Sequence, residues 1–423
     1  MQHRPPDPAH GTMTSPAAAE WAKSWPLVLS CALGLSLSAV GPYALGQFMS
    51  SLEHEFGWSR SQSSAGLSVG VIFGFVLAPI VGRLVDRVDA RLIAIPGVLF
   101  YGLVLAAFSL ADGSTASWLF LWSLHAIAAA VVGPTVWVSV IAGSFSTSRS
   151  LAIAIALSGT AIGSAFAPVA ARYLIDAYQW RMAWQLLALL WGGAILLVAV
   201  PFFVDRRDRR AGTSAKADAE PGPPLRELFC SPNFLRLAFV VLFGMIVVAG
   251  EIIHLSPALV DSGFSPTEAA RLAGVAGLAV VAGKLAVGGS FDRAPMWMVS
   301  AGALGLLALA SGLLAQLNGQ LLPTIVASAA IGASSGALLS LVACITARLF
   351  EAKDFGVVFG ALMSMMAVGG GLGPLLAGIV HDHYGSYRPA FWAGLGMALI
   401  CAVVVCTLRS GPQATMISGA RSS

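Results

Sequence analysis

Twelve apolar runs, each long enough to cross a lipid bilayer, dominate this chain of 423 residues. A hydrocarbon core about 30 Å thick takes about 20 helical residues at 1.5 Å rise each. The runs lie at 27–49, 63–82, 92–111, 117–145, 150–171, 182–204, 235–260, 266–290, 296–316, 320–347, 355–380 and 389–408. The short alternating segments of a transmembrane β-barrel are absent. Charged residues make up 10% of the chain, against about 25% in a soluble protein, too few to cover a surface of this size. Intrinsic disorder has the opposite signature. A disulfide scaffold is excluded too, since Cys31, Cys344, Cys401 and Cys406 lie inside apolar runs. The expected fold is therefore an all-α membrane protein of twelve transmembrane helices, a multi-pass protein whose partner is the lipid bilayer.

The net charge of +4 reports topology and implies no nucleic-acid partner. With both termini cytoplasmic, inside segments carry eighteen Lys and Arg residues and outside loops carry five, namely Arg60, Arg172, Arg181, Arg271 and Arg388. Residues 1–25, rich in Pro, Ala and His, are expected to be a disordered cytoplasmic N-terminus. Residues 26–204 then form one six-helix bundle and 234–408 a second. Between them, 205–233 is a cytoplasmic linker, opening with Asp205-Arg206-Arg207-Asp208-Arg209-Arg210, and 409–423 is a cytoplasmic tail. Trp21, Trp25, Trp118, Trp180 and Trp297 fit interfacial belts.

The two bundles carry the same marks. Gly82-Arg83-Leu84-Val85-Asp86-Arg87 follows the second run, and Gly288-Gly289-Ser290-Phe291-Asp292-Arg293 follows the eighth, 206 residues later. The same offset carries Pro168 onto Pro374, and it carries Arg181 to within one residue of Arg388. Parallel repeats about an axis along the membrane normal place a substrate between the halves near the midplane.

The run Gly82 to Arg91 resembles the loop signature of the major facilitator superfamily, G-x-L-x-D-R-x-G-x-R, with Asp89 where the signature has Gly. Glu55-Phe56-Gly57-Trp58-Ser59-Arg60 and Gln179-Trp180-Arg181-Met182-Ala183-Trp184 are similar to segments of bacterial members of the monocarboxylate transporter family, close to oxalate/formate exchangers. So is His254, followed by Pro257 and Asp261-Ser262-Gly263-Phe264-Ser265. The resemblance implies two pseudo-symmetric six-helix bundles and proton-coupled movement of small organic anions. It also implies an Arg in the eighth span; Lys284 stands there, Val280 replaces the Asp of animal members, and Tyr43 is the nearest match to their first-span Lys. The resemblance makes Gly82, Asp86, Arg87, Arg91, Asp292 and Arg293 a gating latch. A carboxylate there also suits a neighbouring helix N-terminus.

Two charged residues, Glu251 and Lys284, fall well within the runs. A charge at the bilayer centre costs at least about 2.5–3.5 kcal/mol, so such residues usually face a cavity or a partner. Lys284 is the expected anion site, a point charge without the planar fork of Arg. Glu251 is the expected proton carrier, since a buried carboxyl can hold a proton near neutral pH. Their depths differ by on the order of 10–15 Å at 1.5 Å per residue, which argues against a direct pair. His254, three residues from Glu251, Tyr43 and Trp137 complete the expected substrate-binding set.

No G-x-x-x-x-G-K-[ST] loop occurs, so no ATP drive is expected, and no enzyme is expected either. No cofactor is expected, and no metal site, because Glu251 and His254 lack further ligands nearby in sequence. The expected function is a proton-coupled monocarboxylate symporter of the bacterial inner membrane, monomeric, with an organic anion and a proton as partners. The alternatives are an exporter or exchanger of a larger amphipathic compound and, more remotely, a transporter-like sensor.

Overall fold

The computed structural model describes residues 16–145, 148–203, 225–291, 293–350 and 355–408. All regular structure among them is helical. The first half holds α1 (Pro16–Phe56), α2 (Arg60–Arg87), α3 (Ala90–Ala107), α4 (Thr115–Val131), α5 (Pro134–Ser144), α6 (Arg149–Leu157), α7 (Gly159–Leu187) and α8 (Gly193–Phe202). A short α9 (Leu225–Phe229) precedes the second half. That half holds α10 (Pro232–Asp261), α11 (Pro266–Phe291), α12 (Met296–Ala315), α13 (Leu321–Leu349), α14 (Phe355–Tyr384) and α15 (Arg388–Cys406).

Ten stretches of the described residues are long and apolar enough to cross a membrane. One, Leu151–Phe202, has 52 residues and leaves helical geometry at Gln179 (φ 68°, ψ 163°). The run expected at 117–145 is two helices, α4 and α5. Pro134 opens α5 because it lacks the N–H that a helix interior needs. Two expected boundaries change. α1 begins at Pro16, inside the stretch expected to be disordered, where Pro at the start and Ala17-Ala18-Ala19 favour a helix. The end of the expected linker 205–233 carries α9; residues 204–224 and the tail 409–423 lie outside the described residues.

The repeat persists in the backbone. Six described residues have positive φ: Gly57, Gly113, Gln179, Gly263, Gly319 and Gly385. They pair off as Gly57 with Gly263, Gly113 with Gly319, and Gln179 with Gly385, each pair 206 residues apart. Each ends a helical segment at the same end of the bundle, where a residue of positive φ turns the chain back.

The repeat also persists in packing. A Cβ on Gly163 of α7 would stand 2.2 Å from the Ser36 carbonyl of α1, and one on Gly369 of α14 would stand 2.6 Å from the Leu242 carbonyl of α10. Both members of the second pair lie 206 residues after the first. In lipid, helices associate through such close approaches rather than through hydrophobic burial.

Each half has its own core. In the first, Phe48 stacks on Trp184 with ring centroids 3.9 Å apart. Trp118, expected at an interface, is wholly buried in this core, with its indole N–H donated to the Ser63 carbonyl at 3.0 Å. Trp180 is buried as well, its N–H on Glu55 Oε2 at 2.6 Å. An indole N–H inside the protein needs such an acceptor. Outward-facing Leu197 and Leu322 are 80% and 73% exposed, as a lipid-facing surface allows. The halves meet where α2 packs on α14, α7 on α11 and α1 on α10.

Candidate functional site

The surface between the halves is built by small residues. On α11, Gly277 comes so close to α7 that a Cβ would stand 2.3 Å from the Ala165 amide nitrogen. Lys284 is seven residues, about two turns, further along the same face. Its half-buried ammonium therefore reaches the other half, 3.3 Å from Thr160 Oγ1 of α7. No acidic side chain among the described residues pairs with it. Gly283 beside it lets α11 approach the Ala333 carbonyl of α13.

α1 and α10 meet in the same plane of contact. Gly46 packs on the Ile253 carbonyl, and Gln47 Nε2 donates to Ser256 Oγ at 2.5 Å. One turn before Gln47, the half-buried Tyr43 lies near Ser335 of α13. Tyr43 and Lys284 thus both lie on surfaces where the first half meets the second.

A second set of inter-half contacts closes the end of the bundle that carries the positive-φ turns. The Asp382 carboxylate of α14 accepts from the Arg60 and Ser61 amides, at 2.9 and 3.0 Å, at the start of α2. A carboxylate suits the positive end of a helix. Arg60 Nε lies 2.9 Å from Glu53, its guanidinium 3.9 Å from Asp261, and His381 Nε2 is 3.3 Å from Asp261. Deeper in, the hydroxyls of Ser64 and Ser68 donate to the Pro374 and Gly371 carbonyls at 3.1 and 2.8 Å. A Cβ on Gly378 would collide with Ser61 at 2.7 Å. Sequence reasoning did not single out this closure. The signal available was Ser59-Arg60 in one half and His381-Asp382 in the other, with nothing in either to say that they meet.

The remaining expected residues go elsewhere. Trp137 has no exposed surface. Its ring fills the space over Gly34 of α1 and packs on Phe203, and its N–H bonds the Val132 carbonyl at 2.9 Å. It lines no cavity between the halves.

His254 is fully enclosed. One ring nitrogen bonds the Tyr387 hydroxyl at 2.9 Å and the other the Pro374 carbonyl at 2.8 Å. The carbonyl accepts, so that nitrogen carries the proton and the other takes one from Tyr387. Burial raises the Tyr387 phenol above its ordinary value, so it keeps that proton. Neither nitrogen is left for a ligand.

Glu251 points away from the first half. It lies on the face of α10 opposite Ile253 and Ser256, against Gly394 of α15, and is 4% exposed with no hydrogen-bond partner on either oxygen. It does not pair with Lys284.

The expected latch gives no described contact between halves. Arg87 and Arg293 are exposed. Arg91 donates to the Val200 carbonyl within its own half. Gly82 and Asp86 lie in α2; their side chains, and Asp292 altogether, are outside the described residues. Asp89, which replaces the signature's Gly, accepts from the Arg91 amide at 2.8 Å and caps α3.

The chain matches the model of the Major Facilitator Superfamily over residues 31–322 and 297–422. It is 31% identical over 260 residues to mouse (Mus musculus) monocarboxylate transporter 11, covering 58% of this chain and only 56% of that relative's length. It is 27% identical over 407 residues to rat (Rattus norvegicus) monocarboxylate transporter 13, covering 93% and 90%. It is also 28% identical over 356 residues to the 3-(3-hydroxy-phenyl)propionate transporter of Escherichia coli (strain K12), covering 82% and 83%. Among solved structures, nucleoside transporter NupG aligns with a TM-score of 0.73 at 12% identity, over 90% of this chain and 99% of that one. A bacterial homologue of the human lysosomal transporter Spinster aligns at 0.64 and 19% identity, over 90% and 94%. At such identities the structures share the fold.

Proposed function

The chain belongs to the major facilitator superfamily, and on that premise we propose that it is a proton-coupled monocarboxylate symporter working by alternating access. It is a multi-pass membrane transporter, not an enzyme. The proposed topology has twelve spans with both termini cytoplasmic, in a bacterial inner membrane. The break at Gln179 divides Leu151–Phe202 into two spans of ordinary length, which with α2, 28 residues long, brings the ten stretches to twelve. The excess of Lys and Arg on one side supports the orientation, and in that orientation the Asp382 closure would face outside.

The observation that carries the substrate class is Lys284, a half-buried ammonium at the contact between halves that donates to Thr160 and has no acidic partner among the described residues. An ammonium without a counter-ion in a partly dry site attracts a carboxylate. Tyr43 supplies a hydroxyl at the α1–α13 contact. The names of the relatives agree, since monocarboxylates and an aryl propionate both carry a carboxylate. Alternation would open the Asp382 closure on one side while the other side shuts. Glu251 is the proposed proton carrier, acting through the packing of α10 on α14 and α15 rather than by touching the anion.

A second reading, an exporter or exchanger of a larger amphipathic anion, is favoured by the Lys in place of Arg, whose point charge recognises shape less strictly.

The test is uptake of labelled monocarboxylates, aryl propionates included, into liposomes holding the purified protein, with and without an inward proton gradient. Gradient-driven accumulation that Lys284→Ala abolishes, in a variant shown to be folded, is the expected result. Normal uptake by Lys284→Ala would sink the anion assignment. Unchanged coupling in Glu251→Gln would remove Glu251 from the mechanism.

A further inference from the structure

We propose that the cavity between α10, α14 and α15 is a second ligand site, for an amphipathic amine, separate from the Lys284 contact. The cavity measures about 250 Å³ and is lined by Phe243, Leu376, Phe391, Gly394 and Met397, with Glu251 as its one ionisable group. All of these residues belong to the second half. Leu376, at its edge, is 46% exposed on the outer surface of the bundle, so the approach is from the lipid side.

Glu251 identifies the ligand. Its carboxyl is 4% exposed, and neither oxygen has a hydrogen-bond partner. Ser311 lies near this carboxyl, but its hydroxyl donates to the Leu307 carbonyl at 3.0 Å. No Lys, Arg or His lines the cavity. A buried carboxylate is stable only when a cation or donors satisfy it, and among the described residues no cation and no hydrogen bond within normal length does so. An ammonium brought by a ligand supplies both charge and N–H donors.

The rest of the lining suits the remainder of such a molecule. Phe243 and Phe391 offer aromatic faces, and Met397 offers a polarisable thioether. A cavity of about 150 Å³ holds a benzene molecule, so this one accommodates a phenyl ring and a short alkyl chain. Gly394 leaves room for the carboxyl, since a Cβ there would stand 2.7 Å from Glu251 Oε1.

The test is binding, read on the full chain in lipid nanodiscs and therefore independent of transport. Tritiated 4-phenylbutylamine is the probe, and 4-phenylbutan-1-ol, equal in shape and uncharged, is the control. Equilibrium dialysis is corrected with empty nanodiscs. Saturable amine binding at least about tenfold tighter than alcohol binding is expected. Glu251→Gln should erase that preference while leaving the alcohol unaffected, and Ala393→Leu, which fills the mouth without touching the carboxyl, should weaken both ligands. Amine binding no tighter than the alcohol, or a preference that survives Glu251→Gln, overturns the proposal. If Glu251→Gln does not fold, Ala393→Leu decides, and unchanged amine binding overturns it.

Discussion

Gln179 and Gly385 stand 206 residues apart and share a positive φ, 68° at Gln179 and 65° at Gly385. The repeat therefore places a side chain where its partner half uses glycine. At Gln179 ψ is 163°, a region that is close to glycine-only and costs about 1–3 kcal/mol for other residues. Gln179→Gly should raise stability by about 1 kcal/mol after the entropy of glycine is set against the relieved strain. Thermal unfolding in detergent checks this. A lower melting temperature would mean that the Gln179 side chain holds the turn by contacts worth more than the strain.

Asp382 should govern the closed end. It binds two amides of α2 across the halves, and hydrogen bonds to a charged group contribute about 1.5–3 kcal/mol. Asp382→Ala should favour the open form by about tenfold or more. The measurement is labelling of Ser68→Cys by a membrane-impermeant maleimide, which should accelerate by a similar factor. An unchanged rate would leave the closure to Arg60, Ser64 and the glycine contacts.

Gly163 and Gly369 should be equally intolerant of side chains. Each would place a Cβ within 2.6 Å of a carbonyl oxygen on the neighbouring helix, and forced overpacking costs about 1–3 kcal/mol or more. Gly163→Leu and Gly369→Leu should both lower the melting temperature. Gly302→Ala, with nothing within 4 Å, should be neutral or stabilise by up to about 1 kcal/mol. A drop for Gly302→Ala as large as for Gly163→Leu would contradict the packing account.

His254 should act on stability and not on substrate. Both nitrogens are committed inside the second half. His254→Leu leaves the Tyr387 hydroxyl and one lone pair of the Pro374 carbonyl unsatisfied, at about 1–3 kcal/mol each. A lower melting temperature with unchanged anion affinity is expected. Lost affinity at unchanged stability would make His254 a ligand after all.

Much was legible before any coordinates. Long apolar runs declare membrane helices because a bilayer leaves backbone groups no water to bond, so the chain must satisfy them within each segment. The two marks after the second and eighth runs announced a repeat that also governs the positive-φ turns. Lys284 was visible because a charge inside an apolar run is costly enough to need a reason. Of the proposed site, only that residue was legible. Trp137, His254 and Glu251 have the right residue types at membrane depth, yet each points into its own half, and a residue's type does not say which face of its helix meets the partner.

The sequence by itself determined the helical membrane architecture, its division into two copies and the presence of one buried ammonium and one buried carboxyl. Those follow from local periodicity, composition and the energy of charge in lipid. Tertiary structure alone decided that Lys284 faces Thr160, that Glu251 faces a side cavity, and that Asp382 caps a helix in the other half. Pairings between residues 124 and 322 positions apart, as at Lys284–Thr160 and Arg60–Asp382, depend on how helices rotate against one another. Small residues and carbonyl contacts set that rotation, and no spacing along the chain encodes it.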